Sequence, residues 1–506
     1  MDHHDEAVAV IARRVRQFYN RKEAFRIYHG STNSTRKSAF ERGRMIDTSG
    51  LFHILNVNTE RRTALVEPNV PMDRLVEATL LHGLVPPVVM EFPGITVGGG
   101  FAGTAGESSS FKHGFFDRTF NWMEIVLANG DVVECSDTER RDLFHGAAGS
   151  FGTLGVATLF EIRLLEAKEY VELTYHPMTS VSEAIQKIGM ETEDLANDYV
   201  DGIVFSLNKA VVMTGRLTND VRSPSDVRRF FRAQDPWFYL HAKELLSKSL
   251  DPVTEVIPLI DYLFRYDRGA FWTGVYAFEY FVTPFNRITR WALDTFMRTR
   301  VMYHALHESG HSQRYMIQDL ALPFSTAQEF IEYVDDMFGF YPLWLCPLRQ
   351  SEQVSLHPHF SSDKGKDREH LGMLLNVGVW GPGSSRYEEF VHQNRMLEDK
   401  VQELDGMKWL YAHAYYTEDE FWSIYDRQWY DALRAKYNAT WLPSVYDKVK
   451  VDVQAQLDAQ SGSWVAWSKS MLWSIWPLSG LWGVYKAFTG QEYLMPSTCA
   501  HAESGQ

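Results

Sequence analysis

Residues 92–110 read FPGITVGGGFAGTAGESSS and are closed by the triplet Lys112-His113-Gly114. Glycine loses more conformational freedom on folding than any other residue, so a concentration of this kind needs a reason. The composition indicates that the backbone comes close to a flat, phosphorylated ligand. The stretch therefore predicts a ligand-binding loop.

Two further stretches of similar composition lie on either side of this loop. Residues 29–35, HGSTNST, follow a predicted strand, and residues 149–156, GSFGTLGV, lead directly into another. A turn of this kind can present successive backbone N–H groups to an anion, with hydroxyl groups as further donors. The first stretch alone is also compatible with an ordinary polar loop. Together the stretches favour one phosphate-bearing ligand.

Gly98, Gly100 and Gly103 also satisfy the G-x-G-x-x-G spacing of a Rossmann dinucleotide site. That motif requires a preceding strand and a long helix that begins within it. Only residues 95–97 separate the glycines from Pro93-Gly94, and the Gly/Ser-rich continuation is a poor start for a long helix. We expect no Rossmann site.

The length, net charge and cysteine content of the chain limit the possible classes of function. A chain of 506 residues predicts two or three subdomains. A formal charge of -15 without a Lys/Arg run argues against nucleic acid as a partner. The distant cysteines Cys135, Cys346 and Cys499 fit neither a disulfide framework nor a zinc site, and the N-terminus lacks a signal-peptide pattern. We expect an intracellular protein.

Short strands broken by Gly, Asn and Pro alternate with helical patterns along the chain, which predicts an α+β fold. The predicted divisions are an N-terminal helical segment (1–23), a ligand-binding domain (24–166), a second α+β domain (167–407), a return to the first domain (408–452) and a Trp-rich tail (453–506).

The tail carries five tryptophans between residues 464 and 488, and its uncharged stretch is interrupted by Pro477 and Gly480. The stretch is shorter than the roughly 20 apolar residues that a spanning helix needs. It suits peripheral contact with a membrane interface, with aromatic side chains inward and Lys469 and Lys486 outward. Packing against the protein itself or a partner is the alternative.

His307-Glu308-Ser309-Gly310-His311 satisfies the H-E-x-x-H pattern of zinc proteases. The pattern binds zinc only where one continuous helix places both histidines on one face. Because Ser309-Gly310 weakens the helix at that point, we expect no metal site.

The three loops together resemble the FAD-binding domain of the vanillyl-alcohol oxidase/p-cresol methylhydroxylase (PCMH) superfamily. Closer matches, among them Thr96-Val97-Gly98-Gly99, residues 106–110, residues 152–155 and residues 341–348, resemble the delta-24-sterol reductase family. The resemblance runs from about residue 24 to 452. It implies a PCMH-type FAD-binding domain of two α+β subdomains, with an α+β cap domain over the substrate.

The resemblance implies FAD as the cofactor and NADPH as the electron donor. Superfamily members with covalent flavin often carry a histidine in the first loop, where this chain has Asn33, so we expect noncovalent FAD. The predicted cofactor-binding residues are Gly30, Ser31, Thr32, Asn33, Ser34, Thr96, Val97, Gly98, Gly99, Gly103, Thr104, Gly106, Glu107, Ser108, Ser109, Ser110, Gly114, Gly152, Leu154, Gly155 and Val156.

The implied reaction is reduction of a side-chain double bond in a sterol or related isoprenoid. Such a reduction requires a hydride, which reduced flavin supplies, and an acid from the protein. The candidate acids are Asp319, His413, Tyr415 and Glu107, with Tyr415 preferred. The aromatic content of the second domain suits an apolar substrate. The implied location is cytoplasmic or peripheral on the endoplasmic reticulum membrane.

The alternative function on the same fold is an oxidase or dehydrogenase that takes hydride from an alcohol or a natural-product intermediate. A protein that acts only through interactions of its Trp-rich tail is a further alternative.

Overall fold

The computed structural model describes residues 2–30, 43–221, 227–309, 314–350, 355–358, 372–454 and 477–490. The α-helices in these ranges are α1 Asp2–Arg21, α2 Met72–Leu80, α3 Val97–Gly103, α4 Ser110–His113, α5 Arg141–Ala147, α6 Val181–Glu193, α7 Phe238–Lys248, α8 Leu259–Leu263, α9 Gly274–Tyr280, α10 Arg287–Ala292, α11 Thr299–Ser309, α12 Ala327–Phe338, α13 Tyr387–Glu403, α14 Glu418–Ile424, α15 Arg427–Lys436, α16 Val445–Val449 and α17 Leu478–Gly490.

The strands in the same ranges are β1 Arg26–Tyr28, β2 Met45–Asp47, β3 Ile54–Asn58, β4 Thr63–Val66, β5 Leu84–Val85, β6 Phe120–Leu127, β7 Val132–Ser136, β8 Gly155–Arg163, β9 Leu165–Glu166, β10 Tyr170–Met178, β11 Tyr199–Ser206, β12 Lys209–Thr218, β13 Val253–Pro258, β14 Tyr315–Pro323, β15 Leu343–Leu348, β16 Leu374–Pro382 and β17 Met407–Lys408.

The first part of the chain forms an antiparallel five-stranded sheet with the order β3-β4-β8-β6-β7. Strands β1 and β2 pair in parallel, and β5 pairs with β9. The N-terminal helix α1 buries Val8, Ile11, Val15 and Phe18, which recur at helical spacing on one face. Apolar periodicity therefore attaches α1 to the domain.

The second part forms an antiparallel eight-stranded sheet with the order β13-β10-β12-β11-β15-β16-β14-β17. One face of this sheet packs against α6, α12 and α13 in a separate apolar core. The opposite face contributes Ile203, Trp344 and Trp380 to the core that also contains the five-stranded sheet. This arrangement places the uncovered face of the large sheet against the first domain, as a period-2 pattern allows.

The α+β fold class predicted from the sequence is confirmed. The glycine-rich stretch is not a continuous loop, however, because it contains α3 and α4. Thr96 caps α3 by accepting a hydrogen bond at its side chain from the Gly99 N–H, at 3.1 Å. A cap of this kind offsets the low helix propensity of glycine over a helix this short.

The C-terminal helix α17 packs against α11 at the outer side of the second domain. Of the predicted Trp-rich tail (453–506), residues 453–454 and 477–490 are described, and the remaining tail residues lie outside the described ranges. No helix within the described ranges has both the length and the apolar composition needed to cross a membrane.

Candidate active site

A cavity of about 920 Å³ lies where the first domain meets the open face of the eight-stranded sheet. Its lining combines the glycine-rich segments, a group of basic side chains, buried carboxyl groups and aromatic rings of the large sheet. The predicted cofactor-binding residues that line it are Thr96, Gly98, Gly99, Gly103, Gly106, Glu107, Gly152, Leu154, Gly155 and Val156. The structure thus brings together the second and third glycine-rich segments.

Helix α3 is held against neighbouring backbone. The N–H groups of Val97 and Gly98 donate to the carbonyls of Val70 and Pro68, at 2.9 and 2.7 Å. A Cβ on Gly98 would lie 2.8 Å from the Cβ of Pro68. Internal hydrogen bonds therefore already use these two N–H groups.

The third glycine-rich segment turns sharply before β8. Gly152 has a φ of +74°, a conformation that residues with a side chain rarely adopt. A Cβ at this position would lie 2.4 Å from the Cδ1 of Ile27 on β1. Glycine is therefore required at residue 152 by both backbone conformation and space.

Basic side chains line the cavity near strands β1 and β2. Arg26, His29, Arg44 and Lys448 belong to this group. Burial, together with the positive charge of Lys448, lowers the pKa of His29. Sequence reasoning missed this group because the residues are scattered over more than 400 positions in a chain of net negative charge. Because the lowered pKa leaves His29 uncharged at neutral pH, Arg26, Arg44 and Lys448 provide the local positive field suited to a phosphate-bearing ligand.

Two buried carboxyl groups, Glu91 and Glu107, hydrogen-bond to each other in the same cavity. Burial and then the neighbouring Glu91 raise the pKa of Glu107 well above its usual value, and burial raises that of Glu91. Oε1 of Glu91 and Oε2 of Glu107 have no hydrogen-bond partner among the described residues. Burial of two adjacent carboxyl groups therefore favours the protonated form of the pair.

The guanidinium of Arg265 lies in the same buried region and donates to Oδ2 of Asp201, at 2.8 Å. The hydroxyl of Tyr266 and Nε1 of Trp344 donate to the same oxygen, at 3.2 and 3.1 Å. The hydrogen bond to Asp201 holds the indole N–H of Trp344, whose ring lines the cavity.

Asp319 lies on β14 and lines the cavity beside the carboxyl pair. Its Oδ2 accepts a hydrogen bond of 2.7 Å from the hydroxyl of Tyr411, and Asn376 donates to Oδ1 at 3.4 Å. Burial raises the pKa of Asp319 to about 6, although the hydrogen bond from Tyr411 acts in the opposite direction. Asp319 can therefore gain and lose a proton near neutral pH.

The segment that returns to the first domain forms hydrogen bonds both to β14 and to the end of α3. The backbone N–H of Trp409 donates to the carbonyl of Asp319, and its indole Nε1 donates to the carbonyl of Thr104, at 2.9 Å. The ring of Tyr411 lies 3.4 Å from the position that a Cβ on Gly103 would occupy. These contacts fix Tyr411 between the glycine-rich helix and the large sheet.

The other predicted acids lie outside this cavity. Tyr415 is buried in the core on the helix-covered face of the large sheet and packs near Phe390. The carbonyl of His413 accepts from Gln318, whose side chain points to the same face. Neither Tyr415 nor His413 lines the cavity. The structure thus places the candidate acids Asp319 and Glu107 in the cavity lining and the preferred candidate, Tyr415, outside it.

The remaining predicted cofactor-binding residues have structural contacts instead of places in the cavity lining. Val97 is buried in the core, the Thr104 carbonyl accepts from Trp409, and Gly114 follows α4 with a φ of +77°. Ser108 faces the Tyr262 hydroxyl, Ser109 donates to the Pro87 carbonyl, and the Ser110 hydroxyl accepts from the Glu107 N–H. Gly30 does not line the cavity, and Ser31, Thr32, Asn33 and Ser34 lie outside the described residues.

A second, smaller cavity of about 160 Å³ adjoins the first and is almost entirely apolar. The two cavities share Phe92, Tyr303, Ile317 and Trp380 in their linings. Ile317 precedes Asp319 by two residues on β14, so both side chains lie on the same face of the sheet. An apolar group in the small cavity would therefore lie close to Asp319.

Of the H-E-x-x-H pattern, His307, Glu308 and Ser309 belong to helix α11, and Gly310 and His311 lie outside the described residues. In the described part of the chain, no cluster of three or more His, Cys, Asp or Glu side chains is arranged to hold a metal ion.

Residues 6–136 match a family model described as an FAD binding domain. The chain is 32% identical over 408 residues to the Delta(24)-sterol reductases of Macaca fascicularis and Homo sapiens, which covers 79% of this chain and 76% of each relative. It is 31% identical over 439 residues to the Delta(24)-sterol reductase of Arabidopsis thaliana, with 80% of this chain and 76% of the relative covered.

Proposed function

Since this chain belongs to the Delta(24)-sterol reductase family of FAD-linked oxidoreductases, we propose that it reduces a side-chain carbon–carbon double bond of a sterol or related isoprenoid. The observation that carries the proposal is the junction of the two cavities. An apolar cavity opens beside buried acid groups, in a larger cavity lined by glycine-rich segments. This combination suits an apolar substrate that must receive a proton away from water.

FAD fits the larger cavity by the chemistry of the lining. Arg26, His29, Arg44 and Lys448 would hold the phosphates, and the glycine-rich segments at 98–103 and 152–155 would form part of the wall around the cofactor. Trp344 and Trp380 provide apolar surface on the opposite wall. When bound, reduced FAD supplies the hydride for this chemistry.

The protein's own contribution is orientation, exclusion of water and an acid. We assign the acid to Asp319: its O–H bond breaks as a C–H bond forms at the alkene carbon that does not receive hydride, which leaves a carboxylate. The hydrogen bond from Tyr411 fixes that carboxyl group and stabilises the carboxylate. The Glu91–Glu107 pair lines the same cavity.

The test is an assay of the purified flavoprotein with a Δ24-sterol and a reductant, with the saturated product identified by mass spectrometry. A product that has gained two hydrogens across the side-chain double bond supports the proposal. Unchanged sterol, with flavin bound and reducible, contradicts it.

We propose NADPH as the physiological reductant, since the family resemblance implies it. Anaerobic addition of NADPH should then bleach the flavin absorbance, and subsequent addition of a Δ24-sterol should restore it. Bleaching by candidate alcohols without NADPH would instead support the oxidase or dehydrogenase alternative, which is not favoured by the three relatives described above, since each is a reductase by name.

We also propose a peripheral contact with the endoplasmic reticulum membrane near α17. Trp482 and Tyr485 on α17 are 40% and 57% exposed, and Ile288 and Trp291 on α10 are 75% and 57% exposed. Aromatic side chains of this type favour the bilayer interface. Cosedimentation with phosphatidylcholine vesicles should be lost in a Trp291→Ser/Trp482→Ser double variant. Equal sedimentation of the variant and the wild type would contradict the proposal.

A further inference from the structure

Helix α17 is fitted closely to the second domain through two glycines. A Cβ on Gly480 would lie 2.3 Å from Cε1 of Tyr280, and one on Gly483 would lie 2.5 Å from the carbonyl oxygen of Ala305. The Ser479 hydroxyl lies 3.2 Å from that of Tyr280. These contacts require small residues, which indicates a specific docked position for α17.

The same helix forms part of the apolar cavity. Gly480 and Val484 both line it, and their separation of four residues places them on one face of the helix. The remaining walls come from α9, α11, β14 and β16, with Tyr276, Met302 and Trp380 among the lining residues. Removal of α17 would therefore open the apolar cavity on one side.

The size of the cavity also bears on its function. Its volume of about 160 Å³ is below the range of roughly 300–1,000 Å³ that is typical of pockets for whole small molecules. The cavity can therefore take only part of a sterol-sized molecule while α17 is docked. The side chains that α17 contributes decide how large that part can be.

We propose that α17 is a specificity-determining wall of the substrate cavity, with Val484 and Gly480 setting the size of the apolar group accepted beside the acid site. This inference rests on the proposed function, which it deepens by naming the segment that selects among sterol-like substrates. The helix lies beyond residues 24–452, which carry the family resemblance, so this wall comes from a separate part of the chain.

The experiment measures ligand binding and catalysis separately on the full-length flavoprotein. The binding probe is dehydroergosterol, a fluorescent sterol, whose emission is excited by energy transfer from tryptophans such as Trp380 in the cavity wall. Val484→Phe fills the cavity and Val484→Ala enlarges it. Leu481→Phe is the matched control, because Leu481 is 52% exposed on the same helix and does not line the cavity.

We expect Val484→Phe to raise the Kd of the probe at least about tenfold, since a lost methylene-sized space changes binding by that order. Val484→Ala should shift the ratio of kcat/KM values toward sterols with bulkier side chains, and Leu481→Phe should change neither quantity. Gly480→Leu should displace α17 and increase proteolysis within 477–490. Flavin content and the melting temperature check that the Val484 variants remain folded.

Unchanged probe affinity and substrate preference in both Val484 variants would overturn the inference, as would a wild-type protein that does not bind the probe. Its failure can be told apart from failure of the proposed function. If the wild type reduces a Δ24-sterol while the Val484 variants behave like it, only the role of α17 is refuted. If the probe binds and responds to Val484 but no sterol is reduced, only the proposed reaction is refuted.

Discussion

The hydroxyl of Tyr411 donates a 2.7 Å hydrogen bond to Oδ2 of Asp319, across 92 residues of sequence. The pair joins the returning segment to β14 inside the larger cavity. If Asp319 is the acid, Asp319→Asn should lower kcat by about 10²–10⁴-fold, the usual contribution of a positioned acid. Flavin content should be unchanged. Tyr415→Phe is the control and should retain wild-type turnover, because Tyr415 lies outside the cavity.

The acid assignment also fixes a pH dependence. Protonated Asp319 is the active form and its pKa is raised to about 6 by burial, so kcat/KM should fall as the pH rises through about 6. Tyr411→Phe removes the hydrogen bond that lowers this pKa, so the fall in kcat/KM should occur at a higher pH. Steady-state kinetics from pH 5 to 9 measure both effects. A profile in Tyr411→Phe that coincides with the wild type would refute the role of this pair.

The glycine at residue 152 should be essential for cofactor binding. Gly152→Ala places a Cβ 2.4 Å from Ile27 at a φ of +74°, so we expect a loss of about 1–3 kcal/mol in stability and a lower flavin content. Gly339→Ala is a matched control, since its φ is +62° but an added Cβ would lie 3.9 Å from its nearest neighbour, the carbonyl oxygen of Asp335. The ratio of flavin to protein absorbance measures flavin content, and thermal melts measure stability. Full flavin content in Gly152→Ala would contradict the prediction.

The basic group should contribute to FAD affinity by its charge. Lys448→Gln and Arg44→Gln should each weaken FAD binding about 10- to 100-fold, as expected for loss of a hydrogen bond to a charged group. Lys450→Gln is the control, because Lys450 pairs with Asp447 and does not line the cavity. Titration of the apoprotein with FAD gives the Kd. Equal affinities in all variants would place the phosphates elsewhere.

The flavin should also be released on denaturation. Asn33 replaces the histidine through which some superfamily members attach flavin, and an amide cannot form that bond. Acid precipitation should therefore leave the yellow cofactor in the supernatant. Flavin that stays with the precipitated chain would contradict noncovalent binding.

The N-terminal helix should make the free energy of unfolding of the protein depend on pH in the alkaline range. Hydrogen bonds with Glu124 and Glu67 raise the pKa of buried His4 from 6.5 to about 9. Because the folded value is the higher one, this stabilisation is complete below pH 6.5 and is lost as the pH rises through about 9. His4→Gln should remove that dependence of the free energy of unfolding. The exposed His82→Gln is the control, and denaturant melts from pH 6 to 10 provide the measurement.

The sequence predicted much of this site because glycines are informative where the backbone is crowded. Gly98, Gly103, Gly106, Gly152 and Gly155 were found in this way, and each lines the cavity. The same composition does not reveal which N–H groups remain available. Internal hydrogen bonds of Val97 and Gly98 depend on the carbonyls of residues 68–70, and that pairing is a property of the fold.

The acid could not be ranked from the sequence for a related reason. Asp319 and Tyr415 both belong to stretches that resemble the family, and only the folded structure shows that Asp319 lines the cavity while Tyr415 lies in the core on the helix-covered face of the large sheet. Glu91 carried no signal at all, because a single glutamate is distinctive only when it is buried beside Glu107. Basic residues such as Arg44 were missed because they lie far apart in the sequence and come together only in the folded structure.

The hydrogen bonds of Trp409 to Asp319 and Thr104 determine when the cofactor can bind during synthesis of the chain. The glycine-rich segments leave the ribosome early, but Tyr411 and Lys448, which complete the same cavity, are synthesised in the last fifth of the chain. Nascent chains that stop before this segment should therefore be unable to retain the cofactor. We therefore expect FAD to bind only after most of the chain has been synthesised.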